Sequence, residues 1–312
     1  MSVYNAEDYV EDAVESILQQ SLGNFEFIIV NDGSDDGTSG ILERFKSRDE
    51  RIKVINQDRN LGLTASLNRA LGEAKGEFIA RQDADDISEP DRLQVQYDYM
   101  RANSGIDICS TYAWVMGDDG VSIYSFMYPT GDKEIKKFLN MGFNPIIHGS
   151  VMFRRNLISS IGDPFYRFRF GQDFDLWLRS SQFAKFAIIP QQLYRYRRGE
   201  GSVSRCNAEI KRELKAEIIK QHKKGNSEEW KEVEGKIFAK FANTTQRDLK
   251  SYSSAWLMLL RGEQWKAFVI FLRNPQIRSI PLIIICLIPF IGWRLARKLH
   301  LKMSPYKRII WA

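Results

Sequence analysis

The chain opens on an amphipathic rhythm. Tyr9, Val10, Ala13, Val14, Ile17 and Leu18 recur at helical spacing, with Asn5 placed to cap that helix. The run Phe25–Val30 (FEFIIV) is short, apolar and β-branched, the pattern of a buried strand. Asp32–Gly37 is a cluster of turn residues, followed by a short helix through Ile41–Phe45 and a strand at Ile52–Ile55. Leu63, Leu67, Ala70, Leu71 and Ala74 predict another helix, closed by Gly76. Phe78–Ala80 begins a third strand that runs straight into Asp83-Ala84-Asp85-Asp86, and Ser88 and Pro90 mark the start of the next helix. Strand alternating with helix predicts an α/β domain with a mostly parallel sheet, right-handed crossovers and helices on both faces. Such sheets bind ligands at the carboxyl ends of their strands. The acidic clusters Asp32–Asp36 and Asp83–Asp86 both follow strands, so they should meet at one edge.

Further on the pattern is mixed. Strand-like runs occur at Ile108–Met116, Ser150–Phe153 and Phe186–Ile189, with a helix around Asp173–Ser180. Residues 207–250 are polar and helical, and composition changes again near Ala255. These shifts divide the chain into a domain at 1–205, a polar helical extension at 206–254 and a tail at 255–312.

Composition narrows the class. Of 312 residues, 44% are hydrophobic and 27% charged, which excludes wholesale disorder, and the mean hydropathy of −0.35 excludes a polytopic membrane protein. The formal charge of +6 is uneven, because Glu263 is the last acid and nine of the 45 bases follow it. Residues 1–263 therefore carry 36 bases against 39 acids, a net −3, and lack the basic footprint of a nucleic-acid binder. Cys109, Cys206 and Cys286 are scattered, show no zinc-ligand spacing and fit a reducing cytosol.

Ser279–Trp293 is an uncharged run of 15 residues broken by Pro281 and Pro289, short of the ~20 a spanning helix needs. Trp256, Trp265, Trp293 and Trp311 crowd the same region, with bases on both sides. The tail reads as a segment lying in the membrane interface, drawn to anionic lipid; a re-entrant hairpin and a helical subdomain packed on the body are the other readings.

Two acidic clusters carry the chemistry. Asp32, Ser34, Asp36, Gly37 and Glu43 stand at EF-hand positions, but an EF-hand loop follows a helix and this one follows a strand, so calcium binding is not expected. Asp83, Asp85 and Asp86 put three carboxylates in four residues, which repel unless a cation screens them. A hard divalent cation with a diphosphate completing its shell is the natural partner.

MSVYNAEDYVEDAVESILQQSLGNFEFIIVNDGSDDGT, NLGLTASLNRALGEAKGEFIARQDADDISEPDRL, HGSVMFRR and GQDFDLWLR occur in that order over residues 1–200, and together they resemble the family 2 glycosyltransferases. The resemblance implies a GT-A fold, Rossmann-like, and inverting sugar transfer from a nucleotide-sugar. It places Asp32 on the base ring, most simply uracil, with Tyr4 stacking nearby and Ser2 lining the pocket. Asp83 would touch the ribose, Asp85 would hold Mn²⁺ or Mg²⁺, and Asp173 would be the catalytic base. Inverting displacement needs one carboxylate to take the acceptor's proton and one cation to meet the charge on the leaving diphosphate.

The sequence departs from the family pattern at three places. Only Met1-Ser2-Val3 stand where an apolar first strand is usual, so that strand is expected to be truncated or to begin upstream. Gln172 stands beside Asp173 where the family has Glu, and Ser2 stands where it has Pro. Asp175 is a competing base two residues on. His148 reads equally as a group near the acceptor or diphosphate and as a hydrogen-bonded structural residue. Trp177 reads as packing rather than sugar stacking, and Arg195, Arg197 and Arg198 as a solvated strand end, with an approach to the diphosphate as the other reading.

Together with the tail, the resemblance implies a UDP-sugar donor, a polyprenyl-diphosphate-linked saccharide acceptor in surface-polysaccharide assembly, and a peripheral position on the inner face of a bacterial inner membrane. A non-catalytic nucleotide-sugar or lipid-binding protein and a sugar nucleotidyltransferase are the rival readings.

Overall fold

A computed structural model describes residues 1–198, 208–224, 230–241 and 308–310. The first half alternates as expected: β1 (Ser2–Val3), α1 (Val10–Leu18), β2 (Phe27–Asn31), α2 (Thr38–Lys46), β3 (Ile52–Asn56), α3 (Leu63–Glu73), β4 (Phe78–Ala80), β5 (Ile87–Ser88) and α4 (Arg92–Ala102). The second half comprises β6 (Ile108–Met116), β7 (Ser122–Met127), α5 (Asp132–Asn140), a 3-10 turn (His148–Ser150), β8 (Met152–Arg154), α6 (Asn156–Ile161), α7 (Gln172–Ser180) and β9 (Phe186–Arg197). Two helices, α8 (Ala208–Lys224) and α9 (Trp230–Phe241), and a short strand β10 (Arg308–Ile310) complete it.

β1, β2 and β3 form a parallel sheet with Ser2 opposite Val30 and Phe27 opposite Ile52. The first strand is thus two residues long but correctly paired. Alternation sends Phe27 and Ile29 into a core with Val10, Val14 and Ile17 of α1 and Leu42 and Phe45 of α2. Ile28 and Val30 are buried on the opposite face of β2, and α3 also packs against this strand.

The second sheet corrects the mostly parallel expectation. β6 pairs antiparallel with β7 and β8, β4 with β8, β5 with β9 and β10 with β7; β6 with β9 is its parallel pair. Local patterning cannot set strand direction, and here the long β9 returns beside β6 instead of extending the first sheet. An isolated parallel bridge between Ser2 and Asp83 joins the two sheets at their carboxyl edge.

The larger core lies on the second sheet and includes Phe153, Phe186, Leu139 of α5 and Leu176 and Trp177 of α7. Leu214 and Ile218 of α8 are buried in the same core, so the extension begins as part of the body. Trp177 is fully buried, as its reading as packing requires. Among the described residues no helix is long and apolar enough to cross a membrane. Except for 308–310, the tail lies outside the described residues.

Candidate active site

At the carboxyl end of β2 the chain turns sharply. Gly33 has φ +71°, and a Cβ there would lie 2.6 Å from the carbonyl carbon of Arg59, so the NDGS turn needs glycine twice over. Asp32 is buried and engaged: Oδ1 accepts from Gln57 Nε2 at 2.7 Å and the Leu61 amide at 2.8 Å, and Oδ2 accepts from the Gly62 amide at 2.9 Å. The carboxylate thereby fixes the loop that leads into α3. The Asp32 amide donates to Val3 O at 2.8 Å, which seats it beside β1, and Tyr4 follows directly with an exposed ring.

The other carboxylates of this turn are used internally. Asp35 accepts from Asn5 Nδ2 at 2.6 Å, and Asp36 accepts from the amides of Glu7 and Thr38. They serve the turn and the start of α2, which accounts for the EF-hand-like spacing without calcium.

The second cluster is built differently. Asp83, bridged to Ser2, accepts from Arg81 Nη2 at 2.5 Å, and its amide donates to the Tyr194 hydroxyl at 3.2 Å. Burial, the largest influence, works against its charge, but Arg81, together with the other groups around it, holds the carboxyl below the usual range. Asp85 is pushed up to about 6, first by burial and then by Asp83. Asp86 is buried and raised well above the carboxylate range by burial and by its acidic neighbours; Oδ1 accepts from the Arg197 amide, and Oδ2 has no partner.

A half-buried anion beside another anion, with an orphaned carboxyl oxygen next door, suits a divalent cation. Among the described residues no three carboxylate, imidazole or thiol groups form a ready cage. Asp85 would therefore hold an ion largely shared with its ligand.

Arg197 is not the solvated residue its position at a strand end suggested. It is buried, its Nε donates to Asp85 O at 2.8 Å, and Nη1 donates to Gly117 O at 3.1 Å and Asp118 O at 2.9 Å. It ties the acidic loop to the β6–β7 turn. Arg195 pairs with Glu89 at 2.6 Å, and Arg198 donates to the Tyr124 hydroxyl.

Asp173 stands in the first turn of α7, after Gly171 at φ +71°. Asn144 Nδ2 donates to its Oδ2 at 2.8 Å. Burial raises Asp173, opposed by the amides at the helix start and by Asn144, and the charge of Asp83 reaches it. Asp175 points elsewhere: it is buried and bonded to Arg179 at 2.9 Å, so it is unavailable as the base.

His148 Nε2 lies 3.1 Å from the Tyr166 hydroxyl, and its ring packs edge-on to Trp177. Burial, then Arg81, drive its pKa down to about 3, so it is a neutral, hydrogen-bonded group.

The sequence reading missed Arg81, Tyr194 and Asn144. Arg81 carried a signal, since a lone base next to three acids is a natural partner for one of them. Tyr194 and Asn144 come from distant elements and carried none.

A glycosyl transferase family 2 model matches residues 1–162. An uncharacterised glycosyltransferase of Haemophilus influenzae is 32% identical over 202 residues, covering 62% of each chain. The O-antigen biosynthesis glycosyltransferase WbnJ of Escherichia coli is 33% identical over 180 residues, covering 57% of this chain and 69% of WbnJ. The chain thus spans roughly two thirds of the length of these curated relatives, and less than that of the first. TarS of S. aureus, solved with UDP-GlcNAc, has a TM-score of 0.58 at 16% identity, over 96% of this chain and 90% of that one. The mannosyltransferase PcManGT of Pyrobaculum calidifontis, solved with GDP-Man and Mn²⁺, has a TM-score of 0.52 at 15% identity, over 98% and 80%. At these identities the two structures establish the shared GT-A-like fold. With more than half its length matched by the family model, and its acidic turns set at the carboxyl edge of that fold, the chain belongs to glycosyl transferase family 2.

Proposed function

We propose that the protein is an inverting glycosyltransferase that moves a sugar from a UDP-sugar onto a lipid-linked saccharide in the assembly of a bacterial surface polysaccharide. The observation that carries this reading is the pairing of two unlike acidic sites within electrostatic reach: the Asp83–Asp86 loop and the solitary Asp173 at a helix start. One suits a cation and a diphosphate; the other suits a proton acceptor.

Ser2, Tyr4 and Asp32 line the end of the sheet where the base would lie, and Asp83 stands on the ribose side. Asp85 would hold Mn²⁺ or Mg²⁺, whose charge offsets that developing on the diphosphate. Asp173 takes the proton of the acceptor hydroxyl as its oxygen attacks the anomeric carbon; the bond to the diphosphate oxygen breaks, and UDP leaves with the electron pair. Met141 and Phe143 are exposed just before Asn144, an apolar lip on the acceptor side that suits a lipid-linked substrate. The basic, Trp-rich tail would hold the enzyme peripherally at the inner face of the membrane.

The test is transfer from a panel of UDP-sugars to membrane lipid extracts, with and without Mn²⁺. D85A should abolish turnover and weaken UDP binding, whereas D173N should abolish turnover and leave UDP binding near the wild-type value. UDP binding without transfer or hydrolysis in any combination would refute the enzymatic reading. Sedimentation with anionic but not neutral vesicles tests the tail.

A further inference from the structure

We propose that Asn144 is a positioning residue that fixes the orientation and charge of Asp173; this rests on the reading of Asp173 as the base. Asn144 lies in the segment between α5 and the His148 turn. Its Oδ1 accepts from the Ile146 amide at 3.1 Å, and its Nδ2 donates to Asp173 Oδ2 at 2.8 Å. The first bond settles the second: with the carbonyl oxygen committed to an amide, only the NH₂ end can face α7. The carboxylate is therefore met by a donor in every conformation that keeps the turn. Asn144 thereby fixes Oδ2.

The groups around Asp173 make such a donor necessary. Burial disfavours its charge, as does Asp83 from the acidic loop. Tyr166 faces it as a buried, neutral phenol. Lys215 of α8 is the cation on this side, its ammonium held over the Phe174 ring at 5.1 Å and weakened by burial. Within α7, Asp175 is taken by Arg179. Asn144 is the neutral side chain bonded directly to the carboxylate, beside the amides at the helix start, so it stabilises the ionised form without adding a charge that would compete for an anionic acceptor.

Two substitutions separate holding the turn from holding the base. In N144S the hydroxyl still accepts from the Ile146 amide but is too short to reach Asp173. N144D keeps the turn and offers Asp173 an acceptor in place of a donor. The readouts are the ¹³Cγ titration of Asp173 in the full chain, assigned with D173N, and the pH profile of UDP-GlcNAc hydrolysis or transfer. With the unfolding midpoint close to wild type, the Asp173 titration in N144S should move up by about one pH unit. The acid limb of turnover should move with it, and kcat should fall about tenfold or more while the donor KM stays within about twofold. N144D should lose more activity than N144S. An Asp173 midpoint in N144S that coincides with wild type overturns the proposal. If the wild-type chain turns over no nucleotide-sugar, the functional reading falls, and the titration still decides whether Asn144 sets the charge of Asp173.

Discussion

Gly149 sits where a side chain has no room. A Cβ on it would lie 2.1 Å from the Tyr194 hydroxyl, 2.6 Å from Cζ and 2.8 Å from Cε1. Neither partner can retreat easily. The Gly149 carbonyl accepts from Arg92 Nη1 at 3.0 Å, and the next residue is tied by Ser150 Oγ to Ser110 Oγ at 2.8 Å. Tyr194 is fully buried, with the Arg92 guanidinium 5.3 Å from its ring centre. Its hydroxyl accepts from the Asp83 amide. G149A must therefore displace the ring and with it the acidic loop. Overpacking costs about 1–3 kcal/mol. Stripping the Asp83 amide of its partner adds about 1–3 kcal/mol. The expected loss is about 2–6 kcal/mol, a large part of the ~5–15 kcal/mol by which domains are stable.

Urea unfolding of G149A, Y194A and the double variant tests the geometry. Y194A alone should cost about 3–5 kcal/mol as a large-to-small core change. The double variant should cost about the same as Y194A, because removing the ring removes the clash. UDP affinity, by calorimetry, should fall in all three. A G149A protein within about 0.5 kcal/mol of wild type, or a double variant equal to the sum of the singles, refutes this account of the HGS turn.

Three further outcomes follow. His148 is neutral in the fold and has a pKa of ~6.5 when unfolded, so its contribution is complete above that value and is lost as the pH falls toward about 3. Wild type should lose about 2 kcal/mol more than H148Q between pH 7 and pH 5 in matched unfolding curves; parallel curves would refute the buried neutral state. D32N leaves one acceptor atom where two now serve Gln57, Leu61 and Gly62, so amide exchange at Leu61 and Gly62 should quicken by about 1–3 kcal/mol in protection. R197K keeps the charge but loses the fork that reaches Asp85, Gly117 and Asp118, and should cost about 1–3 kcal/mol in unfolding and raise the donor KM; a silent R197K would place the loop's support elsewhere.

The first hundred residues were largely legible, because each element there announces itself locally. The apolar face of α1 and the runs of β2 and β3 carry their own period, and both acidic turns follow strands as expected. Legibility ended where pairing is long-range. Nothing in Phe186–Arg197 says that it runs parallel to β6, with Ile108 opposite Phe186, or that its terminal arginine is buried. The helix at 208–224 carried a readable signal behind its charge: Ile210, Leu214 and Ile218 form a stripe four residues apart, and the last two reach the core. For the site, the motifs singled out Asp32, Asp83 and Asp173. The groups that orient them, Arg81, Asn144 and Tyr194, depend on contacts that sequence spacing does not encode.

The support of the acidic loop also gives the site a date of birth. Arg197 grips Asp86 across 111 residues of chain and Asp85 across 112, and Tyr194 reaches Asp83 across 111. At about 5–20 residues per second of synthesis, the three carboxylates wait roughly 5–20 s on the nascent chain before their clamp exists. A polypeptide released after residue 162, with the whole family match in place, would carry the acidic motif but neither the clamp nor Asp173. Termination before residue 194 should therefore leave the acidic loop without either of its clamping side chains.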